Sequence, residues 1–400
     1  MSAARVIASH ARPVVLNPIT TAGRNARQIH DIAITRTGKP VYRQGGGRSS
    51  LGGHTATVFG AAGFLGRYIV NRLGATDILG IYRGADADIM GSPDWMTYYI
   101  LGTISPYRYL QFWGPDPAYT IYQEFDLRNT ESIEESVRHS DIVINLIGRD
   151  YETKNFNFWD VHVEGTQRIA EAVAKYDIDR YIHVSSHNAD LNSPSAFFRT
   201  KAEGELEARA IFPETTIVRP ARVWGEEDRL LLFHAQKRYL ITSNNLQERF
   251  RPVHSIDVGR ALERIAYDDS TVGQTYELFG PKEYSMGEIR EMVKNETKRN
   301  LTHINVPKKL QQIYRAAWEY VWWPLTSVDE VEREFIDHQI DPTAKTFADL
   351  GMDKVDDIGE GMLRYIRHFR SNKYYDLPPM TEKEREEERK YWHVQDDIYH

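Results

Sequence analysis

The 400-residue sequence predicts an α/β fold in which a parallel sheet carries helices on both faces. Three observations predict it. Apolar runs of strand length alternate with helical stretches along residues 55–184. One strand runs straight into a glycine-rich turn that opens a helix. Another run, residues 141–148, reads Asp-Ile-Val-Ile-Asn-Leu-Ile-Gly, nearly continuous in apolar residues, as a strand buried on both faces should be.

Composition excludes several classes. Hydrophobic residues make up 41% and charged residues 27%, an ordinary globular balance. No apolar run approaches the roughly 18–20 residues that a membrane helix needs. There is no cysteine, which excludes disulfides, a thiolate nucleophile and Cys-ligated zinc or iron–sulfur centres. A net charge of −7 argues against a nucleic-acid binder that works by neutralising phosphates.

Taken in order, residues 1–30 hold no acid and four arginines, Arg5, Arg12, Arg24 and Arg27. Acid-poor and Arg-rich, without an apolar h-region, this is the composition of a mitochondrial transit peptide. Residues 1–27 are therefore expected to direct the chain to the matrix; the alternative is a basic tail on a cytosolic protein. Residues 28–54 form a Gly-rich N-terminal extension. Its Gly45-Gly46-Gly47 and Gly52-Gly53 lack the Gly-Lys-Ser/Thr ending of a P-loop and suit a flexible lead-in.

The folded part opens with a strand at 55–59, the turn Gly60-Ala61-Ala62-Gly63-Phe64-Leu65-Gly66, and a helical pattern at 67–73. A glycine turn in this position lets backbone approach a pyrophosphate and points the helix N-terminus at it. Gly60, Ala62, Gly63, Phe64, Leu65 and Gly66 are thus expected to hold a dinucleotide; a tight turn without ligand is the alternative. The second strand, 78–82, should end in an acid for a free ribose 2′-hydroxyl. It ends in Tyr82-Arg83, which suits a 2′-phosphate and favours NADP(H). A third strand at 121–125 delivers Asp126-Leu127 toward the adenine, and the fourth brings Leu146, Ile147 and Gly148 to the nucleotide. The fifth, 180–184, leads to Ser185-Ser186; helices are expected near 131–139, 158–176 and 197–210.

These motifs resemble the extended short-chain dehydrogenases, a Rossmann-type family, whose Gly-x-x-Gly-x-x-Gly spacing the turn shares. The resemblance implies a Ser or Thr after the fifth strand and a Tyr-x-x-x-Lys on the next helix. The Lys lowers the Tyr pKa and the Tyr exchanges a proton with substrate. Lys201 stands at the Lys position, but Phe197 stands at the Tyr position and has no proton to give. The Ser position aligns with His187 or, after a short slip, Ser186 or Ser185. The interval to Phe197 is short, leaving little loop to shape a substrate pocket. His183, His187, Tyr151 or Tyr176 as a replacement acid, or His183 with His187 as metal ligands, are less simple than structural roles. Val218-Arg219-Pro220-Ala221-Arg222-Val223-Trp224-Gly225 resembles the segment after the sixth strand of this family, bringing Pro220 and Ala221 to the nucleotide. Residues 251–262 and 274–280 resemble its later motifs, so the likeness covers 55–295, with part of a smaller second lobe.

Two runs are more particular. Residues 143–156 (Val-Ile-Asn-Leu-Ile-Gly-Arg-Asp-Tyr-Glu-Thr-Lys-Asn-Phe) and 198–205 (Phe-Arg-Thr-Lys-Ala-Glu-Gly-Glu) resemble the 39-kDa-type, NADPH-binding accessory subunits of mitochondrial respiratory complex I. That resemblance implies a structural NADP(H), no turnover, and other complex I subunits as partners. It also implies a peripheral place on the matrix side of the inner membrane, supporting assembly or stability of the peripheral arm. Phe197 departs from it, since relatives often keep the Tyr. An active NADP-dependent reductase or epimerase on a small carbonyl or sugar is the alternative function, and a free nucleotide-binding scaffold a third.

Residues 296–400 read as a contact region with a charged tail. The segment 314–325 packs five aromatics into twelve residues, suited to a protein interface, lipid headgroups or the chain's own core. The stretch 362–375 combines apolar and basic residues, a candidate surface for anionic phospholipid or an acidic neighbour. The run 382–390 reads as solvated helix.

Overall fold

The computed structural model describes residues 31–34, 40–43, 55–75, 79–85, 120–138, 140–153, 155–322, 327–376, 378–379, 381 and 383–384. For 31–34, 40–43, 74–75, 79–85, 120–124, 319–322 and 372 it describes the backbone alone. The expected transit peptide, the glycine run at 44–53, the side chains of Tyr82 and Arg83, those from Tyr320 to Leu325, and most of the charged tail lie outside what is described.

Among the described residues, seven strands form one parallel sheet: β1 (Thr55–Phe59), β2 (Leu79–Ala85), β3 (Thr120–Phe125), β4 (Ile142–Asn145), β5 (Arg180–Val184), β6 (Thr216–Pro220) and β7 (Thr275–Leu278). Their spatial order is β7-β6-β5-β4-β1-β2-β3. The order reverses between β1 and β4, and at such a switch point a crevice opens beyond the carboxyl ends of the strands.

Nine helices are named here: α1 (Phe64–Ala75), α2 (Thr130–Val137), α3 (Gly165–Lys175), α4 (Ala196–Ile211), α5 (Leu231–Gln236), α6 (Ser255–Tyr267), α7 (Met286–Thr297), α8 (Lys308–Trp322) and α9 (Val328–Arg333). Strand neighbours point to opposite faces, and both faces are covered. Val58, Ile144 and Ile182 join Ile69 and Leu73 of α1 and Leu262 of α6 in one core. Phe59, Val143 and Tyr181 join Ile133 of α2 and Ile169 and Val173 of α3 in the other. This two-sided burial is why the fourth strand reads apolar at successive positions.

A third core gathers Trp224, Leu231, Phe250, Ile289, Val293, Ile358, Met362 and Ile366. Its α7 starts from a capping box, Ser285 Oγ accepting from Glu288 N while Glu288 accepts from Ser285 N. Beside it, Tyr239–Thr242 pairs in parallel with Thr302–Asn305.

Several details differ from the sequence reading. The fourth strand stops at Asn145 because its side-chain oxygen accepts from Ile147 N at 3.0 Å, taking that amide out of the ladder. The second strand continues two residues past Arg83, where Gly84 and Ala85 pair with Glu124 and Phe125. The helix expected over 158–176 contains a π-helical turn, Asp160–Glu164, before α3. The lead-in at 28–54 contains an antiparallel pair, Asp31–Ile34 with Pro40–Arg43, whose β-branched Ile32, Ile34 and Val41 favour strand. No helix among the described residues is long and apolar enough to cross a membrane.

Candidate functional site

The glycine turn sits where β1 meets α1. Gly60 has φ +82°, a conformation L side chains rarely adopt, and a Cβ there would also come 3.3 Å from the Leu146 carbonyl carbon. Gly63 N donates to Gly60 O at 3.0 Å, closing the turn. At Gly66 a Cβ would lie 2.3 Å from Gly60 O and 2.6 Å from Ala61 O, so α1 can start this close to β1 only with glycine. The first turn of α1 carries no acidic side chain, leaving its positive end without an internal counter-charge from that turn.

The expected nucleotide residues divide by burial. Ala62, Gly63 and Gly148 are exposed; Phe64 and Leu65 are half-buried. Asp126 is half-buried, its Oδ1 accepting from Arg128 N at 2.9 Å. Leu127 is fully buried against α3, where a Cβ on Gly165 would meet its Cδ2 at 2.7 Å, so its side chain belongs to the core. Ile147 and Ala221 are also buried core residues, whereas Leu146 packs half-buried against the core. Pro220 is buried at the end of β6 and accepts from His187 N. Arg83 pairs in register with Phe59, immediately before Gly60, so its backbone stands level with the start of the turn.

Lys201 and Phe197 lie one turn apart on α4. Lys201 is buried, and a Cβ on Gly148 would come 2.8 Å from its Nζ. Burial pushes the Lys201 pKa down to about 8, against the opposing pull of Glu205. Glu205 is itself held by Arg219, at 2.9 and 2.6 Å. Phe197 packs edge-on to His162 and Phe158, ring centroids 5.3 and 5.9 Å away.

The candidate replacement acids lie in different surroundings. His183 is buried beside Asn145 at 3.3 Å, and burial, with Lys201 nearby, pushes its pKa down to about 3. His187 is also held well below its usual value by burial, and its Nδ1 faces Pro220 O at 3.3 Å. The two imidazoles thus face different partners. Tyr151 lies beneath Arg149 and Arg229, at 4.9 and 5.6 Å. Tyr176 binds Glu134 at 3.3 Å just past the C-terminus of α3, at the amino end of the sheet and away from the cleft.

Sequence reasoning missed His162. Its Nε2 accepts from Arg149 N at 3.1 Å, which leaves Nδ1 to donate to Thr200 Oγ1 at 2.9 Å. Burial depresses its pKa and it stays neutral, bridging the loop after β4 to α4. The π turn that carries it fits Gly204 of α4, where a Cβ would sit 2.3 Å from His162 O; no pattern in the sequence announces that turn. Asn145 was findable, as a lone amide inside an apolar run.

The residues present fit a dinucleotide. Gly60 to Gly66 bring backbone and a helix N-terminus to the crevice. Deeper in it, Ser185 Oγ and His183 Nε2 are buried without a hydrogen-bond partner, and Lys201 offers a cation. A nucleotide held there would supply hydride chemistry at its nicotinamide; the lysine would hold ribose hydroxyls.

Elsewhere His254, Asp257 and Asp356 bring their ligand atoms within 4.8 Å of one another. Their bonds are internal: His254 meets Asp356 at 3.0 Å and Tyr365 at 2.8 Å, and Asp356 N donates to Asp257 at 2.8 Å. The cluster ties α6 to the C-terminal stretch.

The C-terminal segments separate. Helix α8 turns polar residues inward, Gln311 (2% exposed) and Arg315 (8%), and apolar ones outward: Leu310 (57%), Ile313 (67%), Tyr314 (50%) and Trp318 (41%). Up to Trp318, then, the aromatic segment lies outside the three cores formed by the described residues. Met362 and Ile366 lie in the third core, and Arg370 pairs with buried Glu296 at 2.8 Å.

The NAD dependent epimerase/dehydratase family matches residues 56–229. Among solved structures, a nucleoside-diphosphate-sugar epimerase from Staphylococcus aureus aligns with a TM-score of 0.54 at 16% identity, covering 76% of this chain and 98% of that one. The UDP-glucuronic acid 4-epimerase from Bacillus cereus aligns at 0.51 and 17%, covering 70% and 96%. These likenesses show the fold. The NADH-ubiquinone oxidoreductase 40 kDa subunit of Neurospora crassa mitochondria is 56% identical over 93% of this chain and 94% of its own. The alpha subcomplex subunit 9 of mouse mitochondrial NADH dehydrogenase is 35% identical over 85% and 86%. Residues 56–229 carry an NAD dependent epimerase/dehydratase domain, and the chain belongs to the family of the mitochondrial NADH-ubiquinone oxidoreductase 40 kDa and alpha subcomplex 9 subunits.

Proposed function

We propose that this protein is a non-catalytic accessory subunit of mitochondrial complex I, on the matrix side of the inner membrane, that holds NADP(H) as a structural ligand. The observation that carries the reading is the pairing on α4: Lys201 buried and poised for a ribose, with Phe197 in place of the proton donor. The pyrophosphate would lie over Gly60 to Gly66, and Arg83 would pair with a 2′-phosphate. The chain would support assembly or stability of the peripheral arm through α8, whose outward Ile313, Tyr314 and Trp318 suit another subunit. Tyr239, Ile241 and Ile304 on the neighbouring ladder are exposed as well. Contact with anionic phospholipid through the C-terminal region would use exposed Arg364, His368 and Lys373 or the outward face of α8, since Met362, Ile366 and Arg370 face inward. Cosedimentation of the full chain with cardiolipin vesicles, abolished by Trp318→Asp, is the expected outcome if lipid shares that face.

The test of the non-catalytic reading is NADPH oxidation by the isolated chain against carbonyls, sugars and acyl thioesters. Without a general acid, help worth about 10²–10⁴-fold is missing, and no multiple turnover is expected. Robust turnover would promote the reductase or epimerase reading. Complete assembly of complex I in cells lacking the chain would remove the structural role.

A further inference from the structure

In open α/β sheets, small ligands enter the crevice beyond the carboxyl ends of the strands. Here that ground is already crossed by the chain itself, in the segment from Ser327 to Asp341. Asp329 accepts from Ser195 Oγ at 2.8 Å and from Ala196 N at 2.7 Å, meeting the first turn of α4. Arg333 donates to Asp150 O at 2.7 Å, beyond β4, and lies 4.7 Å over the Phe197 ring. Beyond β5, Asn188 donates to Asp337 O and accepts from Gln339 N, each at 2.9 Å, while the His338 ring stands 5.0 Å from that of His187. At the far side His338 binds Glu277 of β7 at 2.9 Å, and Asp341 binds Arg219 of β6 at 3.1 Å.

We propose that the segment Ser327–Asp341 is a built-in occupant of the substrate side of the cleft. It takes up the polar partners around Phe197 that a carbonyl or sugar would need, and closes that face from within. The assignment of this face as the substrate side rests on the reading of Phe197 and Lys201 above. Its physical consequence is separate from the missing hydroxyl: Phe197→Tyr alone restores a proton donor beneath a segment that still covers it. The segment matches its surroundings in charge, the Asp329 carboxylate against a helix N-terminus and the Arg333 guanidinium against a carbonyl and an aromatic face. Arg315 of α8 binds Glu330 and Glu334, so the segment is also anchored from outside the cleft.

The absence of native cysteine makes the cover measurable by thiol labelling. Ser195→Cys places a thiol at a fully buried position (0% exposed) under Asp329, and Leu206→Cys places one on the exposed part of the same helix (55%). N-ethylmaleimide is expected to label Ser195→Cys at least about 100-fold more slowly than Leu206→Cys in the full chain, because reaction awaits local opening. Adding Arg333→Ala and His338→Ala should speed Ser195→Cys at least about tenfold. The Leu206→Cys rate should not change, and a thiol at buried Ser136, remote under the sheet, should stay protected. Fast labelling of Ser195→Cys in the intact chain would overturn the proposal. So would a rate unmoved by the two alanines, or one that rises only in parallel with Ser136→Cys, which reports global unfolding. Nucleotide released from the same samples is measured separately: a protected thiol in a nucleotide-free protein would keep the cover and sink the nucleotide reading.

Discussion

Helices α4 and α8 are of similar length, and they solve opposite problems. Helix α4 turns Phe198, Ala202 and Ala208 inward together with Thr200, Glu205 and Lys201, the last driven toward neutrality by burial. Helix α8 turns glutamine and arginine inward and leaves isoleucine, tyrosine and tryptophan outside. The first arrangement places a cation in the crevice beyond the strands. The second leaves apolar area exposed among the described residues, and its burial would be favourable by about 25 cal/mol per Å².

The largest break in that comparison would come at the outward face of α8. Ile313→Asp with Trp318→Asp should leave the stability of the isolated chain within about 0.5 kcal/mol, as surface changes usually do. Incorporation into complex I, read by native gel, should fall at least about tenfold, because aromatic anchors dominate interfaces. A fall in stability that matches the loss of assembly would show that the face serves the chain's own fold.

A second break lies in the turn at the other end. Gly66→Ala puts a Cβ within 2.3 Å of a carbonyl oxygen and should destabilise by about 3 kcal/mol, with loss of nucleotide. Arg315→Ala leaves Glu334 and Glu330 without their cation beneath α8, a loss of about 3 kcal/mol measured by denaturant unfolding. It should also loosen the segment over Phe197, which Gly66→Ala should not.

A smaller effect separates the two halves by pH. His183, at the cleft, and His234, in the C-terminal core, are both pushed down to about 3 by burial, helped by Lys201 in one case and Arg290 in the other. A histidine depressed on folding contributes stability above its unfolded pKa, near 6.5, which is lost as pH falls toward the folded value. From pH 7 to pH 5 that loss is about 2 kcal/mol per histidine. Glu248, raised to about 7 by burial, works in the opposite direction over the same range, so the wild-type profile alone is not diagnostic. The clean reading is the difference: His234→Gln should lose about 2 kcal/mol less than wild type between pH 7 and pH 5.

What could be read from residues alone follows the range of the forces involved. The glycine turn and the apolar strands are local patterns, and β1 to β7 lie close to where those patterns put them. Lys201 was legible through its spacing from Phe197. Asp329, Arg333 and His338 were not, because their partners lie 61–183 residues away in sequence and no periodicity links them. The C-terminal stretch was half legible for a related reason: residues 362–370 are amphipathic, but only the fold places Met362 and Ile366 in the core with Trp224 and Ile289.

The central claim is that an enzyme-like cleft holds NADP(H) as a structural part of a complex I subunit. The measurement that tests it most directly is to isolate the chain within assembled complex I, denature it, and identify and count the nucleotide released. The account predicts about one NADP(H) per chain, falling sharply with Arg83→Asp as a charge-assisted contact turns to repulsion. Release of overwhelmingly NAD(H), or of no nucleotide, would contradict it.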